Sequence, residues 1–599
     1  MLGSETMQPR FFLNVKKSAT GHAWHHRLTE AQERTALAMT QSDGIDEIVA
    51  RILAGRKVEQ QAAAGFLKPT IRDLLPDPRT LTDMAPAAER LALAARTAER
   101  VAIFGDYDVD GAASAAILAR WFRSFGTEAA IHIPDRIFEG YGPNAPAMEA
   151  LAREASLIVT VDCGTNSAEA IAAAKSAGAD VVVLDHHQPS GPMPAEAFAV
   201  VNPNREDDVS GQGHLCAAGV TFLALVAANS VLRDGGQTVP DLMGLLDLVA
   251  MATVCDVVPL VGVNRAFVVR GLDVARRQDN PGLAALSKVA RLGEPLRPFH
   301  FGFILGPRIN AGGRIGDASL GSRLLLTEDS TEAESIAEKL DGLNSERQAM
   351  EAEMLAVARA QAEAETLRGD GPAVLIAESD RFHPGVVGLL ASRLKDGFGR
   401  PAFAIAFDRN GKGTGSGRSI AGVDLGKIVR EAVERGLLAK GGGHAMAAGI
   451  TIQREQLGGF RSFLEDRLAR LVAVLRQAAA RRIDGSLSAE GLTIDLCDRI
   501  EAAGPYGAGH SSPFFVLARH RMENIASMGR DGAHLRLSLR SQSGGRLDAV
   551  AFRCADNDLG RFLRNRQGET LHFAGTLSVN HWNGQRRVQF RVDDAAEIT

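Results

Sequence analysis

The stretch Val101–Gly111, VAIFGDYDVDG, constrains this chain more than any other. Val101 to Phe104 have the apolar character of a buried strand, and a glycine ends them. Three carboxylates follow at alternating positions, Asp106, Asp108 and Asp110. Like charges this close raise one another's pKa unless cations neutralise them. A single D-x-D is usually a solvated acidic turn. A D-x-D-x-D-G segment seated directly on a hydrophobic strand points instead to metal binding.

The surrounding pattern supplies partners. Helix Ala112–Phe125, strand Ala129–Ile133, helix Pro146–Glu154, strand Leu157–Val161, helix Ala168–Ser176 and strand Asp180–Leu184 are expected in turn, closed by helices Cys216–Leu232 and Leu242–Thr253. Continuous apolar strands alternating with Ala-rich helices indicate a parallel sheet covered on both faces. LIVTV runs into Asp162-Cys163-Gly164, and DVVVL into Asp185-His186-His187. A further acid, Asp256, ends the apolar helix of ATVCDVVPL. Ligands of open α/β sheets bind beyond the carboxyl ends of the strands, so these clusters converge. Carboxylates with imidazoles and no thiolates suit Mn²⁺ or Mg²⁺ better than structural zinc. There are enough acids for two ions, the arrangement that serves phosphoester hydrolysis. Cys163 and Cys255 read as packing residues.

Composition limits the alternatives. At 599 residues, three or four domains are expected. Five cysteines without a C-x-x-C pair exclude a disulfide framework and a Cys-rich zinc site, which fits a reducing cytoplasm. No uninterrupted apolar run long enough to span a bilayer stands out, and the first residues lack the apolar core of a signal peptide, so a cytoplasmic protein without a membrane partner is expected. The net charge of −5 does not announce a nucleic-acid binder, so the partner class rests on local features.

The chain as a whole is expected to be a multidomain α/β protein. Residues 1–75 form a helical and loop segment, with no ordered element evident around His22, His25 and His26. Residues 76–325 hold the parallel sheet, and 326–368 one long helix without proline, read as a strut. Residues 369–465 form a second α/β unit in which GTGSGRS and KGGGHAMAAG are Gly-rich loops, the second opening a helix or strand. Residues 466–599 carry period-two runs separated by Gly-rich turns, the mark of a small OB-like β-barrel. Its Arg536, Arg540, Arg586, Arg587 and Arg591 alternate with apolar residues and suggest a basic face. Trp582, Phe573 and Phe590 are candidates for base stacking, with the barrel core as the alternative.

GDYDVDG, VDCG, LDHH and ATVCDVVPL resemble, in order and context, the successive motifs of the DHH phosphoesterase superfamily. Within it the chain resembles the RecJ-type single-strand-specific 5′→3′ exonucleases, through IPDRIFEGYG, GPRINAGGRIG, HPGVVG, GSGRS, GGGHAMAAG and GPYGAG. The resemblance implies a parallel-sheet DHH domain, a DHHA1-type substrate-binding domain and an OB-like single-strand-binding domain. It implies two divalent cations, Mn²⁺ or Mg²⁺, held by Asp108, Asp110, Asp162, His186 and Asp256, with Asp162 as the bridge. Asp106 matches a residue needed for activity, His187 would reach the scissile phosphate, and Asp185 would orient His186. Arg136, Arg308, Asn310, Arg314, His383, Ser416, Arg418 and His444 would contact phosphates or DNA, with Arg136 and one of Arg308 and Arg314 at the 5′ phosphate. The implied role is DNA recombination and repair, with single-stranded DNA as substrate and single-strand-binding protein and repair helicases as partners. The rival readings are a small-substrate DHH phosphodiesterase or pyrophosphatase and a non-catalytic replication scaffold.

Overall fold

Five short apolar segments build the sheet that carries the acidic motifs. In space they run Ala130–His132, Val101–Gly105, Leu157–Val161, Asp180–Leu184 and Ala199–Val201, all parallel. Val101–Gly105 and Leu157–Val161 are buried throughout, as strands covered on both faces must be. In chain order this is 2-1-3-4-5, so the winding reverses between the first and third strands. Crevices at such reversals are where doubly wound sheets bind ligands. The short strand Ala199–Val201 lies outside the expected set.

The computed structural model describes residues 10–135, 139–140, 142–367, 371–529, 531–582 and 585–598. It comprises two units, one of 76–258 and 267–478, the other of 1–75, 259–266 and 479–599.

In the first unit, the helix after the opening strand spans Val109–Arg123, three residues earlier than expected. The cause is Asp108, whose side chain caps the helix by accepting from the N–H groups of Asp110 and Gly111 at 2.9 and 3.2 Å. The acidic segment is therefore a strand end folded onto a helix start. Gly111 permits the fold, because a Cβ there would sit 2.3 Å from the Asp106 carbonyl oxygen. Among the described residues, one helix, Ala217–Asp234, is long and apolar enough to cross a membrane by length and composition. It is a core helix here, with 72% of its apolar window buried.

The expected long helix is present as Ser330–Thr366. Beyond it a second sheet runs Lys440–His444, Ala447–Gln453, Lys412–Arg418, Ala402–Phe407, Leu375–Ser379, parallel only between the last two. GTGSGRS, expected as a loop, is thus a strand, and KGGGHAMAAG opens into the strands Lys440–His444 and Ala447–Gln453. Their glycines make room for large core side chains: a Cβ would lie 2.7 Å from the Phe407 ring at Gly413 and 2.4 Å from the Phe403 ring at Gly417. Helix Leu457–Gln477 packs Phe460, Leu464 and Leu468 into this core, so the expected boundary at 465 falls inside a helix.

In the second unit, strands Phe515–Met528, His534–Arg540, Arg546–Ala551, Gln585–Ala596 and Thr570–Trp582 are neighbours in that order, and the last pairs back with the first. The result is a closed five-stranded barrel with one parallel seam, Arg546–Ala551 against Gln585–Ala596, as expected of an OB fold. Phe573 and Phe590 are fully buried in it, which settles the alternative left open for them; the Trp582 side chain lies outside the described residues. The expected basic face is largely compensated: Arg536 pairs with Asp548 at 2.5 Å, Arg591 with Asp593 at 2.8 Å, Arg540 with Glu523 and Arg586 with Asp498.

The N-terminal segment is part of the same unit. Leu28, Met39, Ile52 and Leu53 share one core with the barrel residues Phe515, Leu537 and Phe590. Around His25 there is an ordered element after all: strand Ala23–His26 pairs parallel with Ala480–Ile483. Buried Asp484 fastens the two parts, accepting from Arg27 at 3.0 Å, from Arg56 and from the Phe514 N–H at 2.9 Å. Asp484→Ala leaves the Arg56 guanidinium buried without a counter-charge, so a loss of about 3–5 kcal/mol is expected in denaturant unfolding of this unit. Arg536→Ala, at an exposed pair, should shift the same transition by less than about 1 kcal/mol.

Candidate metal centre

Asp106, Asp108 and Asp110 leave the end of the first strand, Asp162 the third and Asp185-His186-His187 the fourth. The two strands flanking the reversal therefore supply four of the acids. Asp256 caps the C-terminus of helix Leu246–Cys255, where the helix dipole disfavours a carboxylate.

These side chains meet. His186 Nε2 lies 3.3 Å from Asp162 Oδ1, 3.7 Å from Asp256 Oδ2 and 3.8 Å from Asp110 Oδ2. Three donor sets each gather within 4.8 Å: Asp106 with Asp108 and Asp162, Asp110 with His186 and Asp256, and Asp162 with His186 and His187. Asp162 links two of these sets and His186 two. Backbone geometry is committed to the cluster as well. Asp162 holds φ +60°, a left-handed conformation rare for a residue with a side chain, and Val257 beside Asp256 has the same φ.

The electrostatics are those of a cation site. Burial first, and then the charges of Asp110, Asp108, Asp106 and Asp256, raise the Asp162 carboxyl well above the usual range. Burial and the charges of Asp110 and Asp108 push Asp256 up to about 9. Asp110 is also raised, by burial above all, although its two oxygens accept the Ala217 and Ala218 N–H groups at the start of helix Ala217–Asp234, at 2.6 and 2.8 Å. Asp162 Oδ1 is buried and accepts no hydrogen bond. Oxygen and imidazole donors, a buried carboxylate oxygen without a donor and carboxylates repelling one another fit divalent cations. The neighbouring thiols do not compete, because burial pushes Cys163, Cys216 and Cys255 up and keeps them protonated.

Asp185 corrects one expectation. Its side chain does not hold the His186 ring. Oδ1 accepts from the N–H groups of His186 and His187 at 2.7 and 3.1 Å and faces His187 Nδ1 at 2.8 Å, while Oδ2 accepts from the Thr165 N–H at 3.0 Å. Burial alone would raise this carboxyl, but the His187 hydrogen bond and the His187 and His186 charges hold it well below the carboxylate range. Burial alone would lower His187, yet Asp185 raises it to about 9. In the metal-free site His187 is therefore held toward its protonated form.

Two supports went unseen in the sequence. Asn202 donates to the His187 carbonyl and to Thr165 Oγ1, both at 2.8 Å, and Asn204 donates to the His186 carbonyl at 2.5 Å. Both follow the unanticipated strand Ala199–Val201, and the asparagine pair in VNPN was their signal.

GPRINAGGRIG forms a helix, Gly306–Ile315. Its glycines admit close neighbours: a Cβ would lie 2.5 Å from Cys255 Sγ at Gly306 and 2.5 Å from the Tyr107 ring at Gly313. Asn310 braces the acidic segment, its Oδ1 accepting the Val109 N–H at 3.0 Å. Arg308 is tied to Asp341 at 2.8 Å, and Arg314 Nη1 donates to the Gly385 carbonyl at 3.0 Å. Arg136 lies outside the described residues. In the second α/β domain His383 Nδ1 accepts the Gly385 N–H at 3.1 Å, and Arg418 donates to Ser416 Oγ at 2.8 Å. His444 is lowered by desolvation and then by the charges of Arg418, His187 and His186, so the strands bearing Arg418 and His444 stand within the field of the DHH histidines.

Family models match in three places: the DHH family N-terminal domain over residues 100–253, the DHHA1 domain over 371–470 and the RecJ OB domain over 483–594. The RecJ single-stranded-DNA-specific exonuclease of Dickeya dadantii is 36% identical over 94% of this chain and 99% of its own length. The chain belongs to the RecJ family of single-stranded-DNA-specific exonucleases. The Escherichia coli relative is 35% identical over 91% of this chain and 95% of its own. Thermus thermophilus RecJ in complex with Mn²⁺ is similar in structure, with a TM-score of 0.77 and 29% identity, covering 95% of this chain and 78% of that one.

Protonation competes with cations in this RecJ-family site. Asp256 keeps in the folded state a proton that its ordinary carboxyl pKa releases on unfolding, so it lowers stability progressively between about pH 4 and pH 9. Metal-free protein should therefore melt at lower temperature as pH rises through that window, and Mn²⁺ should raise the melting temperature more near about pH 8 than near about pH 6. Asp256→Asn should flatten the metal-free profile in scanning fluorimetry. Asp185→Asn should return the His187 pKa from about 9 to its ordinary value or below, read by imidazole NMR. The stability that the His187 interaction supplies is complete below the ordinary histidine pKa and is lost as pH rises through about 9.

Proposed function

We propose that this chain hydrolyses single-stranded DNA from the 5′ end, with Asp108, Asp110, Asp162, His186 and Asp256 holding two Mn²⁺ or Mg²⁺ ions and Asp162 shared between them. The observation that carries the reading is the convergence of these donors within 4.8 Å in linked sets at the sheet's reversal point. Bound there, two such cations supply an activated water and offset the charge that develops on phosphate and leaving oxygen.

The chain's own groups bind and orient the strand. Asp185 holds His187 toward its protonated form, and its imidazolium pairs with an oxygen of the scissile phosphate. Asp106, buried beside Asp108 and Asp162, holds the acidic segment's charge toward the same point. Arg418, Ser416 and His444 take the backbone phosphates of the strand near the DHH histidines, and His383 supports the turn at Gly385. Arg136 and Arg314 meet the 5′ phosphate. Arg308 is less suited, being paired with Asp341. The DHH domain (76–325), long helix (326–368), DHHA1-type domain (369–465, extended by its helix to 477) and barrel divide the work into cleavage, spacing, backbone binding and strand retention. Recombination and repair in the cytoplasm, beside single-strand-binding protein and repair helicases, is the setting we propose.

A preference for dinucleotides would favour a small-substrate phosphodiesterase, against which the barrel argues. The deciding assay compares 5′-blocked with 3′-blocked single strands in Mn²⁺ and Mg²⁺. Only the 5′ block should protect, and Asp108→Ala should reduce degradation at least about 100-fold. Protection by the 3′ block, or an active Asp108→Ala, contradicts the reading.

A further inference from the structure

Two large aromatic rings stand in solvent around the turn that packs against the end of the Asp256 helix. Phe299 is 57% exposed and Phe303 73%, and their rings stack with centroids 5.1 Å apart and planes at 21°. Exposed phenylalanines this bare, in contact with each other, form a feature that monomeric proteins rarely leave without a partner. The backbone beneath them is a π-helical turn, Phe301–Leu305, leading into helix Gly306–Ile315. Isolated π-turns concentrate at functional sites. Phe301 and Leu305 of the same turn are fully buried, so core packing is met without the two outer rings.

The turn is fastened to the end of the helix that presents Asp256. Cys255 Sγ donates to the Phe301 carbonyl at 3.3 Å, and a Cβ at Gly302 would lie 3.4 Å from Val254. Val257, next to Asp256, is itself 68% exposed. The nearby arginines are already paired, Arg297 with Glu294 at 2.7 Å and Arg308 with Asp341 at 2.8 Å, so the rings rather than free charge define this surface. Flat apolar faces on a turn fastened to the helix that ends in Asp256 suit single-strand binding, in which bases stack on aromatic rings without being read.

We propose that Phe299 and Phe303 form a stacking platform for nucleobases of single-stranded DNA engaged at the metal centre. The assignment rests on the function proposed above. The platform supplies sequence-independent grip: a strand stacked on Phe303 is aligned beside Asp256, whereas a duplex, whose bases face one another, offers no free base to the ring. Phe303 presents the stacking face and Phe299 backs it, fixing its tilt.

The test uses the full chain in the Asp108→Ala background and single-stranded oligonucleotides carrying 2-aminopurine at successive positions. Quenching is expected at one or two positions and should be relieved by Phe303→Ala. That substitution should weaken oligonucleotide binding about tenfold. Phe303→Trp should retain binding, and Phe303→Leu, which keeps apolar area without a ring, should lose it as Ala does. An abasic residue at the quenched position should weaken binding to the parent and leave Phe303→Ala unaffected. In the catalytically intact chain Phe303→Ala should raise KM with kcat retained, and its unchanged melting temperature and Mn²⁺ affinity should confirm the fold. Equal binding by Phe303→Ala, parent-like binding by Phe303→Leu, or quenching at no particular position overturns the platform. Cleavage by the Asp108→Ala background would overturn the catalytic reading alone, since the binding readout does not depend on it.

Discussion

Repulsion among buried carboxylates is the interaction on which the rest of this structure depends. Asp106, Asp110 and Asp162 are almost wholly buried, and Asp162 feels the charge of four other acids. No apolar core tolerates that arrangement unless charge is supplied to it. The fold concentrates what compensation a protein can offer: the start of helix Ala217–Asp234 on Asp110, the capped helix start at Asp108, and His187 held toward its protonated form. What these do not neutralise defines the place for divalent cations. Around that place the architecture is economical, since a doubly wound sheet delivers its strand ends to one crevice.

The acidic segment, the Asp-Cys-Gly turn and the Asp-His-His turn were legible because each sits on a continuous apolar strand, and a parallel sheet sends such ends to the same side. The barrel was legible from its period-two runs. Glycine is where the sequence misleads. In GTGSGRS and KGGGHAMAAG of the second sheet it reads as a sign of loops. The structure uses it for close approach inside regular elements, of Tyr107 and Cys255 to a helix and of Phe403 and Phe407 to a strand. Sequence records the absent Cβ but not the neighbour that fills the space. Asp185 was assigned to the wrong histidine because adjacency along the chain does not tell which imidazole turns back. Asn202 and Asn204 were missed with the three-residue strand that positions them.

Asn310 and Gly313 connect these threads. One helix braces the acidic segment at Val109 and Tyr107, packs on the end of the Asp256 helix and, through Arg314, reaches Gly385 in the second α/β domain. It also continues the turn that carries Phe299 and Phe303. The proposed metal ligands, the second α/β domain and the proposed stacking rings thus all meet one helix, which suits an enzyme that must hold each successive phosphodiester in the same register.

The central claim is that the cluster holds two cations with Asp162 between them. Titration calorimetry of Mn²⁺ into metal-free protein tests it most directly. Two ions per chain should bind with release of protons, and Asp162→Ala should abolish high-affinity binding of both. A single ion per chain, or two ions bound undiminished by Asp162→Ala, would contradict the account.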